Sequence, residues 1–325
     1  MAHIMMPSAD TSEAVGPTCP ITGKPARAVQ SVSTAFLRHF WRFGQGVDVA
    51  RLFEGVKRLT LYESPSGLMF FDPPIVGDAA FYARFYAKWD IQKGLTEEVD
   101  RRVDFRRAAR SVPKGATVID IGCGPGLFRR HLPHARFVGL DPYAGPGADE
   151  AVIRETLEHH AETNPSAYDV ATAFHVIEHV SDPLGHARLM AKLLKPGGLL
   201  ILAAPLHPSP LTDIPNFPLN LPPHHVTWWN AGAFRALATE LGLEVVALET
   251  LPVSPHQGVI LWLWRLLARR TTPPPNARYV GHRWSWHVSL VLAYALALLA
   301  VRFKPVPKGA PDVDAFLVAR KPQAS

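Results

Sequence analysis

Cysteine is nearly missing: Cys19 and Cys123 are the two in 325 residues. That excludes a disulfide-stapled scaffold and, with no signal-like apolar run near the start, fits a reducing cytoplasm. Charge is also sparse, since Asp, Glu, Lys and Arg make up 19% of the chain against roughly 25% in ordinary soluble domains. With 47% hydrophobic and 10% aromatic residues, wholesale disorder is excluded, and some apolar surface is left to face something other than water. Acidic residues are absent altogether from Leu251 to Pro311, where eight basic residues stand: Arg265, Arg269, Arg270, Arg278, Arg283, Arg302, Lys304 and Lys308. This segment carries the net charge of +6, because the rest of the chain holds 26 basic against 28 acidic residues. A basic face spread over a whole domain, as a nucleic-acid binder needs, is therefore excluded. No repeat with a period of roughly 20 to 50 residues is present.

At roughly 100 to 200 residues per domain, the length suits one large domain with attachments. Residues 1–30 lack periodicity and are expected to be disordered. Within them lies Cys19-Pro20-Ile21-Thr22-Gly23, and further on comes Glu63-Ser64-Pro65-Ser66-Gly67. Both have the outline of a C-x-x-C-G zinc knuckle with Thr22, Glu63 and Ser66 at three of the four ligand positions, so thiolate coordination is lost. They read either as a zinc-ribbon relic without zinc or as two unrelated turns. Residues 31–110 read as a mostly helical cap, with a hairpin from Leu59 to Phe71 and an aromatic-rich helix from Asp78 to Trp89. Residues 111–325 read as the main domain, with an apolar, basic insertion at 252–311.

The main domain alternates short apolar runs with helical periods, which predicts an α/β fold with a mostly parallel sheet. Seven strands are expected: Thr117–Ile121, Arg136–Leu140, Ala151–Glu155, Asp169–Phe174, Leu199–Ala204, Leu243–Thr250 and Ala315–Ala319. The first runs straight into Gly122-Cys123-Gly124-Pro125-Gly126, a glycine-rich turn that lets a ligand approach the backbone closely. Asp141 ends the next strand, 21 residues after Asp120, a separation that suits a carboxylate accepting hydrogen bonds from two ribose hydroxyls. The glycines stand as G-x-G-x-G with an acid two places ahead, not as the dinucleotide fingerprint G-x-G-x-x-G. That pattern suits a zwitterionic amino-acid tail and a sulfonium better than a pyrophosphate.

These residues resemble motif I of the class I S-adenosylmethionine-dependent methyltransferases. Tyr168 to Val180 and Leu194-Lys195-Pro196-Gly197-Gly198 are similar to that family's fourth-strand segment and its turn before the fifth strand. The resemblance runs from about Ala108 to Ala319. It implies a Rossmann-like seven-stranded methyltransferase sheet with an N-terminal helical cap and a helical-hairpin insertion between strands six and seven, with S-adenosyl-L-methionine as cofactor. Carried over, Gly122, Cys123 and Gly124 lie against the methionine part and Gly126 completes the turn. Asp120 steers the ammonium group, Asp141 holds the ribose, Pro142 leans on the adenine, and Phe174 and His175 border the pocket from the fourth strand.

Methyl transfer to a hydroxyl needs positioning and removal of a proton, so a base near neutrality is expected. The proline-rich loop from Pro205 to Trp229 holds Pro222-Pro223-His224-His225 and resembles the P-P-H-H-x-x-x-W loop of one bacterial branch of the family, which also carries a degenerate or intact zinc ribbon. His225 or His224 is the candidate catalytic base, with the pair capping a helix or satisfying buried carbonyls as the other reading. Tyr82, Tyr86 and Trp228 are candidate walls of the acceptor site. His175-x-x-Glu178-His179 is similar to the E-x-x-E-H segment of ubiquinone-pathway O-methyltransferases, but His175 replaces the first carboxylate and the segment ends a strand. No metal is expected there.

The insertion has two arms, Gln257 to Ala268 and Trp284 to Val301, the second with 18 residues free of Asp, Glu, Lys and Arg. A single crossing of a bilayer by the second arm would separate strands six and seven, which must pair. The expected arrangement is a helical hairpin lying in one leaflet, with Trp262, Trp264, Trp284 and Trp286 at headgroup level and the arginines on anionic phosphates. A buried helical pair or a homodimer contact is the other arrangement. The reading is a cytoplasmic O-methyltransferase, peripheral on the inner face of the membrane, acting on a lipid-like or lipid-linked acceptor. A soluble small-molecule or sugar O-methyltransferase and a non-catalytic scaffold are the alternatives.

Overall fold

The computed structural model describes residues 16–89, 96–254, 257–268, 279–281, 284–304 and 310–323. Residues 1–15 and the Arg269, Arg270, Arg278, Arg283 and Lys308 positions lie outside the described residues. The expectation of disorder fails from residue 16 onward, because Cys19 and Ile21 are buried. The Cys19 turn closes through Gly23 N–H donating to the Cys19 carbonyl, and the Cys19 thiol lies beside Ser64 and Thr22. The two knuckle-like turns thus meet.

The cap has the expected hairpin, helix from 79 to 89 and further helical turns, and the hairpin is widened into a sheet that was not expected. Strands β1 (Arg27–Ser33), β2 (Arg58–Glu63) and β3 (Met69–Asp72) pair antiparallel, and β9 (Thr227–Trp228) adds to β3. The last strand comes from the proline-rich loop, so local pattern revealed the β2–β3 hairpin but not the sheet's outer strands. Helix α1 (Thr34–His39) starts at the Ser33 hydroxyl. Helix α2 (Ala79–Trp89) starts where the Asp78 carboxylate accepts from Phe81 N–H at 2.9 Å. Its buried Phe81 and Phe85 stack edge-on against Trp41. Tyr82 and Tyr86, one position on, form the neighbouring stripe.

The main sheet has seven strands in the order β10-β11-β8-β7-β4-β5-β6, with β11 antiparallel to both neighbours. These are β4 (Thr117–Ile121), β5 (Arg136–Leu140), β6 (Val152–Ile153), β7 (Tyr168–Phe174), β8 (Leu194–Pro205), β10 (Glu244–Pro252) and β11 (Asp312–Arg320). Central strands are apolar on both faces, as a covered parallel sheet requires: Val118, Ile119, Val170, Ala171, Leu200, Ile201 and Leu202 are all fully buried. Helix α3 (Val103–Ala109) covers one face near β10. Helices α4 (Leu157–Thr163), α5 (Pro183–Leu193) and α7 (Ala231–Glu240) cover the other through Leu157, Met190 and Phe234. The strand order reverses between β4 and β7, so the crevice at their carboxyl ends is the place for a ligand.

Between β10 and β11 lie helices α8 (Gly258–Leu267) and α9 (Trp284–Phe303), packed on each other. They rest on the proline-rich loop at the short helix α6 (Pro210–Asp213) through Ile214, Phe217, Leu263 and Ala297. Trp264 donates to the Asp213 carboxylate at 3.2 Å and Trp286 to the Pro215 carbonyl at 3.0 Å. These two indoles bond to protein, not to headgroups as expected from sequence. Helix α9 leaves Leu292 60%, Leu296 55%, Leu299 55% and Phe303 80% exposed.

Candidate active site

Strand β4 ends in the glycine elbow. Gly122 and Gly124 both take positive φ, +66° and +55°. A Cβ on Gly122 would sit 2.6 Å from the Val176 methyl, so that side is closed; one on Gly124 would meet nothing within 4 Å, so that side is open. Asp141 follows β5, and its carboxylate accepts from Gly124 N–H and from Tyr143 N–H, each at 2.8 Å. The acid therefore tethers the elbow while each oxygen keeps a free lone pair. Gly126, at φ +85°, begins the 3-10 turn Leu127–His131. Pro142 is exposed beside Asp141. The Cys123 thiol turns toward Gly139 in β5, and burial, then Asp120 and Asp141, push its pKa up.

Asp120 is buried on β4, accepts from the Thr172 hydroxyl at 2.6 Å, and is pushed up to about 7 by burial. The donor set fits S-adenosylmethionine: an open glycine face, a carboxylate beside it with spare lone pairs, and a buried acid below that has no ion-pair partner among the described residues, Arg102 acting on it only at a distance. Phe174 is a correction in part. Its ring lies in the core against Phe105 and Phe128, each at 4.8 Å, and does not line the crevice.

His175 takes φ +57°, unusual for a non-glycine residue, at the end of β7. Its N–H donates to the Ala203 carbonyl, and its ring lies among Asp104 (3.6 Å), Glu178 (3.6 Å) and Asp314 (4.0 Å). Burial alone would lower its pKa; the three carboxylates, Asp314 foremost, raise it to about 10, so it is an imidazolium at neutral pH. Asp104 is held well below the usual carboxylate range, burial being overcome by Arg102 and His175, while burial raises Asp314 to about 6. Neither Asp104 nor Asp314 was singled out from sequence, because their partners come from α3, β7 and β11.

Beyond His175, the turn Ile177–His179 meets the proline-rich loop. Val226 N–H donates to the Glu178 carbonyl, Trp41 Nε1 donates to the Pro222 carbonyl, and Gly77 N–H donates to the Pro223 carbonyl. The His224 and His225 rings lie 4.6 and 4.8 Å from that of His179. Both candidate bases are buried, and burial holds them well below the ordinary histidine value, so they are neutral. His225 Nε2 faces Glu178 Oε1 at 3.9 Å. Tyr82 lies over the cluster, its hydroxyl 3.2 Å from His179 Nδ1. Tyr86 stacks beside Tyr82, and burial, then the charges of Glu178 and Asp141, push its phenol to about 12. It thus lies within electrostatic reach of both Asp141 and the strand-end turn. Trp228 is buried in the cap sheet on Phe71, Tyr279 and His207, with Nε1 donating to Asn220, so its assignment to the acceptor wall is corrected.

Residues 91–248 match the family described as Methyltransferase domain. Those residues form a methyltransferase domain. Its cofactor is S-adenosylmethionine. Curated relatives of the domain include the ubiquinone biosynthesis O-methyltransferases of Serratia proteamaculans (41% identical over 95 residues, 25% of this chain and 39% of that protein) and Sodalis glossinidius (35% over 126 residues, 34% and 51%). That of Vibrio cholerae is 39% identical over 126 residues, again 34% of this chain and 51% of the relative. The methyltransferase domain thus aligns with about half or less of these relatives' length. A solved S-adenosylmethionine-dependent methyltransferase from Archaeoglobus fulgidus superposes with a TM-score of 0.42 at 16% identity, covering 68% of this chain and 94% of that one.

Proposed function

We propose that this protein transfers a methyl group from S-adenosylmethionine to a hydroxyl oxygen of a lipid-like or lipid-linked acceptor at an anionic membrane surface. The observation that carries the reading is the alignment, along one carboxyl edge of the sheet, of the open glycine elbow, Asp141 and a buried group of neutral histidines. Bound at the elbow, the cofactor supplies an electrophilic methyl carbon. Gly122 and Gly124 let its methionine part approach the backbone, Asp120 faces its ammonium group, and the free lone pairs of Asp141 accept from its ribose hydroxyls. Cys123, Gly126, Pro142 and the imidazolium of His175 border the same pocket.

The acceptor enters under α2, between Tyr82 and Tyr86. His225, neutral and backed by the Glu178 carboxylate, takes the hydroxyl proton, with His224 beside it; a nearby carboxylate steadies the imidazolium that forms. The loop and the site exclude water by burial. The relatives named for ubiquinone biosynthesis support an aromatic, lipid-tailed hydroxyl compound as acceptor, and the apolar flank of α9 supports delivery from a membrane. Arg265, Arg302 and Lys304 stand at the hairpin's ends, and each basic residue near an anionic surface adds about 1 kcal/mol.

The test is transfer of tritiated methyl from S-adenosylmethionine in the presence of membrane lipid extract. Label is expected in the organic phase, with kcat reduced about 100-fold or more in His225→Ala and cofactor affinity kept. Label confined to water-soluble products would favour instead a small-molecule or sugar acceptor, with α9 as a dimer contact. No label at all, with no cofactor bound, would leave a scaffold.

A further inference from the structure

Two phenols beside the histidine group carry protons that no acceptor among the described residues takes up. Tyr82 and Tyr86 stand one turn apart on α2, with ring centroids 5.8 Å apart. The Tyr82 hydroxyl lies 3.2 Å from His179 Nδ1, but that nitrogen also lies 2.7 Å from the His224 carbonyl. A carbonyl only accepts, so Nδ1 carries the proton and cannot take one from Tyr82. The Tyr82 oxygen therefore accepts there, and its own O–H is left over. Tyr86 is half-buried, and its hydroxyl makes no hydrogen bond among the described residues. Burial raises both phenols, helped by Tyr86 and Glu178 at Tyr82 and by Glu178 and Asp141 at Tyr86, which is pushed up to about 12. Both stay donors at neutral pH.

Two donors side by side select what they bind. An oxygen with two lone pairs and no proton of its own takes both, and a carbonyl is such an oxygen. A carboxylate or phosphate would add negative charge where Asp141 and Glu178 already supply it, Glu178 being 1% exposed with both oxygens lacking a hydrogen-bond partner. The base points the same way. Burial holds His225 well below the ordinary histidine value, so it is neutral but weak. A weak base needs an acidic partner, which an isolated aliphatic hydroxyl is not. A hydroxyl conjugated with a carbonyl is more acidic, because the charge left by its proton is shared with the carbonyl oxygen, where preorganised donors stabilise it.

We propose, resting on the methyl-transfer reading, that Tyr82 and Tyr86 together hold a neutral carbonyl oxygen of the acceptor, conjugated with the hydroxyl to be methylated. The acceptor class is then a hydroxy-carbonyl compound. The proton passes from the hydroxyl to His225, and the electron pair left behind is shared between the two acceptor oxygens. That pair forms the new bond from the hydroxyl oxygen to the methyl carbon, the carbon–sulfur pair returns to sulfur, and the carbonyl is restored. Sequence marked both tyrosines as walls of the acceptor site. Their part as donors was hidden, because the carbonyl that occupies His179 belongs to His224, 45 residues further on.

The test titrates the full-length protein calorimetrically, with S-adenosylhomocysteine present so that no turnover occurs. The probes are ortho- and para-hydroxyacetophenone, and ortho- and para-ethylphenol, which keep the ring and hydroxyl but lack the carbonyl. At least one hydroxyketone should bind about tenfold tighter than its ethylphenol, the worth of two net hydrogen bonds. Tyr82→Phe and Tyr86→Phe keep the packed rings, and each should cut that ratio by about threefold while leaving ethylphenol affinity unchanged. The ratio is decisive because a variant with a damaged fold loses both probes alike; in that event the parent's preference alone decides. No preference for either hydroxyketone by the parent, or the same preference in both Phe variants, would overturn the proposal. Cofactor affinity of the parent, measured by the same method, reads the methyl-transfer account separately: cofactor bound without a hydroxyketone preference removes the carbonyl and leaves methyl transfer standing.

Discussion

Asp120 is asked to be two things: a buried acid with a hydroxyl donor, and the group that meets the cofactor's ammonium. Burial favours its protonated form up to about pH 7. An ammonium beside it favours the charged form, so binding releases a proton whenever the free protein holds one. The sign follows: affinity for S-adenosylmethionine is full above about pH 7 and weakens as pH falls through that value, approaching tenfold per pH unit. In Asp120→Asn the slope should vanish; an unchanged slope would move the titration to another group. The neighbouring elbow makes a steric prediction. Gly122→Ala adds about 1–2 kcal/mol for a side chain at positive φ, and its Cβ would press on the Val176 methyl at 2.6 Å. The melting temperature should fall by several degrees, and an unchanged value would mean the elbow is looser than described.

Among the elements, β4 and β5 begin and end where the sequence pattern places them, because a covered parallel strand is written as a near-continuous apolar stretch, broken in β4 only by Asp120. The elbow and Asp141 were legible for a related reason: the chemistry sits within 21 residues of chain. The β2–β3 hairpin of the cap was legible, but its extension by β9 was not, since β9 is two residues long and its partner β3 lies far back in sequence. Trp228 misled for the same reason, its ring being claimed by Phe71 and Tyr279 across elements. Helix α9 was visible as an apolar run, but which face it buries depended on α8 and the Pro215 loop. Its exposed face carries a prediction. Replacing Leu292, Leu296 and Leu299 by Glu should abolish sedimentation with anionic liposomes, each leucine being worth about 1.5–3 kcal/mol when withdrawn from water. The melting temperature should hardly move, because these side chains touch little. Equal sedimentation of variant and parent, or none by either, would remove the membrane from the account.

Across the whole molecule, one loop joins three bodies. The segment from Pro205 to Trp229 completes the cap sheet through β9, carries the paired histidines over the main sheet, and seats the helical hairpin through Asp213 and Pro215. In the proposed reading, the cofactor elbow and the histidine group face the same crevice, with Tyr82 and Tyr86 of α2 beside it. All of this presupposes a ligand at the elbow. The direct measurement is calorimetric titration of the purified protein with S-adenosylmethionine, alongside Asp141→Ala. One equivalent should bind to the parent chain, and Asp141→Ala should lose at least about tenfold in affinity while keeping its fold. Absence of heat with the parent, or stoichiometric binding of a nicotinamide dinucleotide in its place, would contradict the account.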